Sequence, residues 1–463
     1  MTGPSTDIGR DLVVFADPQS SFKTAASDFP VAADAVRVLT ASVNGKSPFT
    51  MFEDKRGTST PLGVINQKRT AEFSMECYAY LPARETLPDW SDLLTSGGWT
   101  AVPANGDDTT ATGGSTTVIT TGSTANWSIG DCGLFETASG SGTYEIRRIT
   151  NLTTNTNFTV SPALQNAPAS GAKIRAGILY KPKDAKDTVP DAITMWAFNN
   201  NSADRIIGGV VGSETFSMGG DGAARITFSG TGRRDNRMVQ TSLNAGGTLN
   251  ASDTSFTVAN GGAIPSDVSV NNPYYYQMDS EHFKVVGVSG NTVTVATRGT
   301  WAGGASPATH ADLSLFYPFQ PAGSFAGTPI PATSGSLLVA GAPLQAGSIS
   351  VEVDQGIIYR ENVHGDEYVV DGYVGGMRAV TATLDGWSFY DSTLLEAMDA
   401  RNRTSAQILC QQGESESGIF AIELPTFKFE EPDMDRGGDE VTVSLTGQAV
   451  GTTSEDEIYI MVG

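Results

Sequence analysis

One short pattern occurs twice in this chain, and it constrains the fold more than any other feature of the sequence. Residues 219–232 read GGDGAARITFSGTG, and residues 436–449 read RGGDEVTVSLTGQA. In each copy a Gly/Asp turn precedes a strand with alternating apolar residues, and each strand reaches a glycine, Gly230 or Gly447. A repeat of this kind predicts a duplicated fold, in which two similar units follow one another along the chain.

A second pair of segments shares another plan. Residues 143–182 and 281–321 each contain a strand, an Asn-rich turn, a second strand, a loop of small residues with proline, and a last strand ending near Tyr and Pro. A strand rich in Thr and Val precedes each of them. These segments predict two small β modules that interrupt the larger duplicated unit.

The composition predicts an all-β fold with short flanking helices. The 463 residues include 52 Gly and 22 Pro and are only 17% charged, which disfavours long helices. We expect two β-sandwich or barrel units, the first discontinuous over 1–100 and 183–237, and the second over 322–463. One small module is inserted at 101–182, and the other occupies 238–321. The length allows this number of separate cores.

The charge balance excludes several classes of partner. The chain carries 51 acidic and 29 basic residues, a net charge of −22. We therefore expect no attraction to nucleic-acid phosphates or to an anionic membrane surface. No apolar run approaches the ~20 residues of a membrane span, and the N-terminus lacks the basic and apolar regions of a signal peptide.

We predict no catalytic, cofactor-binding or metal site. The three Cys and three His are scattered, without the spacing of metal ligands. The chain lacks a phosphate-binding glycine loop and a nucleophile elbow. Acid pairs such as Glu430 with Glu431 could serve glycoside hydrolysis, but their Pro/Gly-rich surroundings favour solvated surface charge. We therefore expect a protein that is not an enzyme and needs no cofactor.

The two predicted units share an order of elements. Residues 69–80 (RTAEFSMECYAY) alternate in polarity like a strand and precede a predicted helix at 89–94, for which Asp89 is the predicted cap. Residues 377–384 (MRAVTATL) alternate in the same way and precede a predicted helix at 392–400. In the first unit a small module intrudes after the helix, whereas in the second unit the next strands follow at once.

With this order of elements, the chain resembles the major tail tube protein of long-tailed, siphovirus-like bacteriophages. A fainter copy of the pattern runs through 212–232, where Phe216 takes the place of Phe427. The residues that carry the resemblance are Gly413, the strand 418–425, Phe427 with Phe429, the acidic loop 430–438 and the closing strand 440–447.

The resemblance implies a β-sandwich flanked by one helix, whose extended hairpin joins those of its neighbours in a continuous inner barrel. The usual ring of that family holds six single-domain subunits, so a duplicated chain would form a pseudo-hexameric ring from three copies. Stacked rings would form the tail tube, the conduit for DNA ejection into the host.

The expected partners follow from the same resemblance. They are other copies of this chain, the tape measure, tail terminator and distal tail proteins, and double-stranded DNA in transient, non-specific passage, with no membrane. The expected location is the virion, after synthesis in the cytoplasm of the host bacterium.

Three acids are candidates for the lumen of such a tube, namely Glu72, Glu76 and Asp385, because they lie in or beside the predicted tube-forming strands. A basic lining would bind the DNA phosphates and stall the genome, whereas an acidic lining would let it slide. The alternative is that these are ordinary solvated acids.

Two other functions remain open at this stage. One is a different β-rich phage structural or adhesive protein, such as a fibre or decoration protein. The other is a carbohydrate-active enzyme built from β-sandwiches, since exposed aromatic side chains form sugar-binding platforms. The tryptophans available for such platforms are Trp90, Trp99, Trp127, Trp196, Trp301 and Trp387.

Overall fold

The computed structural model describes residues 12–19, 22–23, 25, 29–51, 63–183, 191–219, 222–244, 246–360, 364–365, 368, 372–388, 405–430, 433–435, 442–452 and 455–463. Strands dominate these residues, which confirms the predicted all-β fold. Within them, helical structure is limited to one short α-helix and three 3₁₀ turns, at Ala32–Asp34, Gly261–Ala263 and Trp301–Gly303.

The part of the chain before the first module begins the first sandwich. Its longest strand buries Ala71, Phe73, Met75 and Cys77 and turns the intervening residues the other way, as the alternation predicts. The elements are β1 Leu12–Pro18, β2 Ala35–Val36, β3 Thr40–Lys46, β4 Phe49–Met51, β5 Val64–Asn66, β6 Thr70–Tyr78, β7 Tyr80–Leu81, α1 Ser91–Ser96 and β8 Trp99–Val102.

The predicted cap of α1 is wrong. The N-cap is Trp90, which makes no side-chain capping hydrogen bond. The Asp89 carboxylate instead accepts a hydrogen bond of 3.1 Å from the backbone N–H of Arg37 and lies 3.5 Å from its Nε. The Asp89 side chain is thus oriented towards Arg37, which offers both a backbone N–H and the charge of its guanidinium. The second predicted helix, at 392–400, lies outside the described residues.

The first module and the return to the first sandwich are antiparallel throughout. The module has its own small core around Trp127, Phe135 and Phe158. Its strands are β9 Thr109–Gly114, β10 Val118–Thr121, β11 Cys132–Glu136, β12 Tyr144–Thr153, β13 Asn157–Ser161 and β14 Lys173–Pro182. The strands that then complete the first sandwich are β15 Ile193–Asn199, β16 Ser202–Gly219, β17 Arg225–Gly232 and β18 Arg234–Val239.

The second module forms a separate six-stranded sheet. Its strands are β19 Thr241–Ser242, β20 Ser255–Thr257, β21 Tyr274–Met278, β22 Glu281–Ser289, β23 Thr292–Gly299 and β24 Leu315–Pro318. The strands that follow it are β25 Thr328–Pro329, β26 Gly335–Val339, β27 Ala342–Leu344, β28 Ser348–Asp354, β29 Ile357–Tyr359, β30 Gly372–Val374, β31 Ala379–Ser388, β32 Ser405–Gln412, β33 Phe420–Phe429, β34 Asp433–Asp435, β35 Thr442–Ala449 and β36 Tyr459–Val462.

The strand pairings before the second module recur after it. In the first unit, defined as the described residues of 12–102 and 191–239, the pairs are β1 with β2 and β15, β16 with β15, β17 and β18, and β6 with β3 and β17. In the second unit, defined as those of 335–462, they are β26 with β27 and β32, β33 with β32, β35 and β36, and β31 with β28 and β35. The two units therefore have the same topology.

The two units contribute to one continuous sheet, which we call the shared sheet. Its order is β3, β6, β17, β16, β28, β31, β35 and β34, and every neighbouring pair is antiparallel. The pair formed by β16 and β28 joins the first unit to the second, with Phe216 opposite Val351. A single large apolar core lies on one face of this sheet and extends through both units.

A second layer of strands closes each sandwich over that core. In the first unit it consists of β2, β1, β15, the start of β16, and β18. In the second unit it consists of β27, β26, β32, β33 and β36, and it continues through β14 and β8.

The modules cover the far side of this second layer. The second module packs Tyr274 and Tyr276 against Trp196 and Phe198 of the first unit. The first module packs against the second unit, where Arg148 donates two hydrogen bonds of 3.1 Å to the fully buried Glu423. Both modules thus lie on the side of the molecule opposite to the exposed face of the shared sheet.

Candidate functional site, a polar face and two sheet edges

The shared sheet has one face that does not contact the core, which we call the polar face. Successive side chains of a strand point to opposite faces, and in these strands the apolar ones are buried in the core. The side chains between them, most of which are small hydroxyl residues, form the polar face. Its members include Thr40, Ser42, Asn44, Lys46, Glu72, Ser74, Glu76, Ser213, Thr215, Ser217, Arg225, Thr227, Ser229, Ser350, Glu352, Asp354, Thr381, Thr383, Asp385, Ser444, Thr446 and Gln448.

The polar face borders a cavity of about 550 Å³. Residues of β3, β6, β17, β16 and β28 line it, among them Asn44, Glu72, Ser229, Ser213 and Asp354. Ile357 and Tyr359 of the β29–β30 hairpin complete its lining.

All three acids singled out in the sequence lie on this face, but their surroundings differ. Glu72 forms an ion pair with Lys46, and Glu76 forms one of 3.1 Å with Arg225. Asp385 accepts a hydrogen bond from the Ser444 hydroxyl and has no ion pair among the described residues. The charges of Glu72 and Glu76 are thus balanced locally, whereas that of Asp385 is not.

Two further acids of the polar face were missed by the sequence analysis. Glu352 and Asp354 alternate with buried valines in β28 (SISVEVD), and this alternation was the signal that could have found them. Neither has an ion pair within the described part of the chain, and Asp354 accepts a 2.9 Å hydrogen bond from the N–H of Gly356. Together with Asp385 they leave the polar face with an excess of negative charge.

The shared sheet ends in two strands that each have one partner. Among the described residues, β3 pairs only with β6, and β34 pairs only with β35. We call them the β3 edge and the β34 edge. An edge strand presents unpaired backbone N–H and C=O groups, which makes it a template for pairing with another strand.

The repeated topology makes these two edges equivalent to the two strands that already pair inside the chain. β3 corresponds to β28, because each is followed by a hairpin and pairs with the strand after that hairpin, β6 or β31. β33 and β34 together correspond to the long β16, because they pair with β35 as β16 pairs with β17. The β34 edge is therefore the repeat equivalent of β16, and the β3 edge is the repeat equivalent of β28.

The register of that internal pair can be transferred to the edges. Phe216 lies opposite Ile226, and Met434 lies opposite Val443, which is the repeat equivalent of Ile226. The expected equivalence of Phe216 with Phe427 is therefore wrong, because Phe427 lies opposite Ala449, further along the same strand. Val351 of β28 lies opposite Ala382 of β31. In the pairing of β3 with β6, Val43 occupies the position equivalent to Val351. Since Phe216 pairs with Val351, the equivalent pair across the edges is Met434 with Val43.

A buried carboxyl group lies at the internal junction. Glu214 of β16 is fully buried, and its Oε2 accepts a 2.8 Å hydrogen bond from Gln355 Nε2. Gln355 in turn accepts a 2.8 Å hydrogen bond from Arg378, which contacts Glu455 and Glu457. Burial raises the pKa of Glu214 to about 8, against the lowering effect of its hydrogen bonds and of Arg378.

The hairpin that follows β3 in the first unit differs from the one that follows β28 in the second unit. In the second unit, Ile357 and Tyr359 of the β29–β30 hairpin pack on a cluster that includes Val210 of the first unit. In the first unit, the β4–β5 hairpin carries exposed apolar side chains. Each of these is more than half exposed, namely Phe49, Met51, Val64 and Ile65.

The described residues show little that favours the alternative chemistries. They contain no group of three or more His, Cys, Asp or Glu that could hold a metal ion. Their three cysteines are buried, and so are Trp90, Trp99, Trp127 and Trp196. None of the helices described here is long and apolar enough to cross a membrane. Buried tryptophans cannot form an exposed platform for sugars.

Comparison with protein families and with curated protein sequences identifies no relative. No protein-family model matches this chain. No curated protein matches it significantly in sequence. The function is therefore inferred from the fold, the polar face and the two edges.

Proposed function

We propose that this protein is a structural virion protein, and that three chains form a ring whose stacked copies make the phage tail tube. The observation that carries this proposal is the junction of β16 and β28 inside the chain. Its two strands have their equivalents at the two edges of the same sheet, so one more pairing of the same kind joins one chain to the next.

Ring closure follows from the geometry of such a contact. The β34 edge of one chain meets the β3 edge of another, which is a heterologous contact that generates either a closed ring or an open filament. Closure pairs every edge strand and so removes the exposed backbone groups. The polar face turns towards the centre of the ring, and the modules lie on its outer side.

Three chains give a conduit of suitable width. With eight strands in each shared sheet, the ring is a barrel of roughly 24 strands. At ~4.8 Å between strands and a tilt of ~40°, its backbone diameter is about 48 Å. Side chains of the polar face narrow this opening, but it remains wider than a DNA double helix. The choice of three chains rests on the resemblance to rings of six single-domain subunits.

The polar face has the chemistry of a sliding surface. It consists mainly of Ser and Thr with an excess of acids, and its two described basic residues, Lys46 and Arg225, are held in ion pairs. DNA phosphates are repelled by the remaining acids, Glu352, Asp354 and Asp385, and find no unpaired cation here among the residues described. Tape measure, tail terminator and distal tail proteins complete the proposed set of partners.

Electron microscopy of the purified, concentrated protein tests the proposal. We expect hollow tubes or single rings with three chains in each ring, counted from the threefold arrangement of the outer modules. Rings of six chains would contradict the proposed stoichiometry. A chain that stays monomeric at every concentration would contradict the function as a whole.

A further inference from the structure

A groove opens beside the β3 edge, between the shared sheet and the second layer of the first unit. Its volume is about 750 Å³. Leu39 and Val239 on its walls are each 40% exposed. The apolar side chains that line it are Leu12, Leu39, Ala41, Val43, Ala197 and Val239. Among the described residues, none closes this end of the first sandwich over its apolar core.

The equivalent place in the second unit is filled by the first unit. Val351 and Val462, which correspond to Val43 and Val239, are fully buried. Phe420 of the second unit contacts two aromatic rings of the first, Trp90 and Phe216, each with ring centroids 6.2 Å apart. Leu93 and Leu94 of α1 belong to the same buried cluster. Inside the chain, side chains of one unit thus seal the open sandwich of the next.

We propose that the groove at the β3 edge is the docking site for the second unit of another copy of this chain. This inference rests on the proposed ring, and it adds a side-chain seal to the backbone pairing of the edges. The occupant follows from two observations. The groove is continuous with the β3 edge, and the equivalent groove inside the chain receives the neighbouring unit.

The walls of the two grooves differ in a way that suits their roles. Phe420, Ile422 and Ile460 of the second unit correspond to Ser202, Asp204 and Arg237 of the first, as the strand registers show. Asp204 and Arg237 form an ion pair of 2.6 Å at the groove. The internal junction forms during folding and is apolar. The free groove meets water before assembly and has a partly polar wall, as interfaces between separate chains do.

The double variant Leu39→Glu/Val239→Glu tests the docking site. Both side chains are partly exposed in the free chain, so we expect an unchanged melting temperature. Burying two charges in the groove would raise the protein concentration needed for half-maximal ring formation at least tenfold. The matched control is Leu87→Glu/Val118→Glu, whose side chains are 47% and 37% exposed outside the groove. We expect this control to assemble like the wild type.

A labelled cysteine gives a second readout that does not depend on charge. The native cysteines are buried and therefore unreactive, so Val239→Cys can carry a single environment-sensitive dye. We expect a blue shift of its emission when rings form. Rings of the labelled Val239→Cys variant whose dye emission does not shift, or equal assembly of the Glu double variant, would overturn the groove inference and leave the ring intact. A wild-type chain that never forms rings would overturn both.

Discussion

Gly230 and Gly447 lie at equivalent positions of the two units, and each meets the backbone of a neighbouring strand. A Cβ atom at Gly230 would approach the carbonyl oxygen of Val210 and the ring of Phe73 closer than 3.0 Å. At Gly447 it would approach the carbonyl oxygen of Lys428 and the ring of Phe427 in the same way. The repeated glycine is thus explained by the repeated close approach of two strands.

Replacing either glycine with alanine should destabilise the protein. The added methyl group has to displace backbone, so we expect Gly230→Ala and Gly447→Ala each to lower the free energy of unfolding by about 1–3 kcal/mol. Denaturant unfolding measures this change. Gly122→Ala is the matched control, because no atom lies within 4 Å of its Cβ position. Equal stability of all three variants would argue against the close approach.

The transferred register predicts a specific cross-link between chains. Asn44 and Asp433 occupy the positions equivalent to Glu352 and Thr215, which are paired in the internal junction. Opposed Cα atoms in an antiparallel pair lie about 4.5–5.5 Å apart, within the range of a disulfide. We expect Asn44→Cys/Asp433→Cys to give covalent trimers on non-reducing gels after oxidation.

The off-register pair Lys46→Cys/Asp435→Cys controls for chance collisions. In the proposed register these positions are several residues apart, so we expect little cross-linking. Each single cysteine variant should also remain monomeric on the gel. Efficient cross-linking of the control, or none of the predicted pair in assembled rings, would contradict the register.

Charge reversal on the polar face should make the tube retain DNA. Glu352 and Asp385 have no ion pair among the described residues, so Glu352→Lys/Asp385→Lys adds cations without breaking an ion pair. We expect tubes of normal appearance that co-sediment with linear duplex DNA at low salt, with binding lost as salt rises. The exposed Asp312 of the second module offers a control, Asp312→Lys. Tubes of the double variant that release DNA like the wild type would refute a lumen role for this face.

The buried Glu214 predicts that the protein loses stability as the pH rises from about 4.5 to about 8. Burial raises its pKa from the ordinary 4.5 to about 8 in the folded protein. Its contribution is therefore fully present below pH 4.5 and is lost as the pH rises to about 8. The slope is about 1.4 kcal/mol per pH unit for one proton. We expect the stability difference between Glu214→Gln and wild type to grow in favour of the variant across this range. A difference that does not change with pH would show that Glu214 ionises normally.

The exposed β4–β5 hairpin should contribute to assembly. The equivalent hairpin of the second unit is seated on the first unit, so we expect Phe49 and Ile65 to contact another copy of the chain. Phe49→Ser/Ile65→Ser should leave the melting temperature unchanged and reduce tube yield in sedimentation at least tenfold. Val270→Ser/Leu315→Ser removes similarly exposed side chains of the second module. Equal yields from both variants would exclude the hairpin from the contact.

The fold class and several strands were predictable because their signals are local. Alternation in residues 69–80 predicts the buried and exposed sides of β6, and the all-β class follows from composition and turns. The capping role of Asp89 was wrong because its partner, Arg37, is distant in sequence. The groove beside the β3 edge was invisible for the same reason, since five separate strands form its walls.

The contrast between Phe420 and Ser202 at equivalent places has a consequence for the whole particle. In the proposed ring, apolar junctions formed during folding alternate with partly polar junctions formed by association of separate chains. Covalent fusion therefore reduces the junctions that separate chains have to form from six to three. The two kinds of junction also lower the symmetry of the rim from six to three. The protein that terminates such a tube therefore has to bind a surface of threefold symmetry.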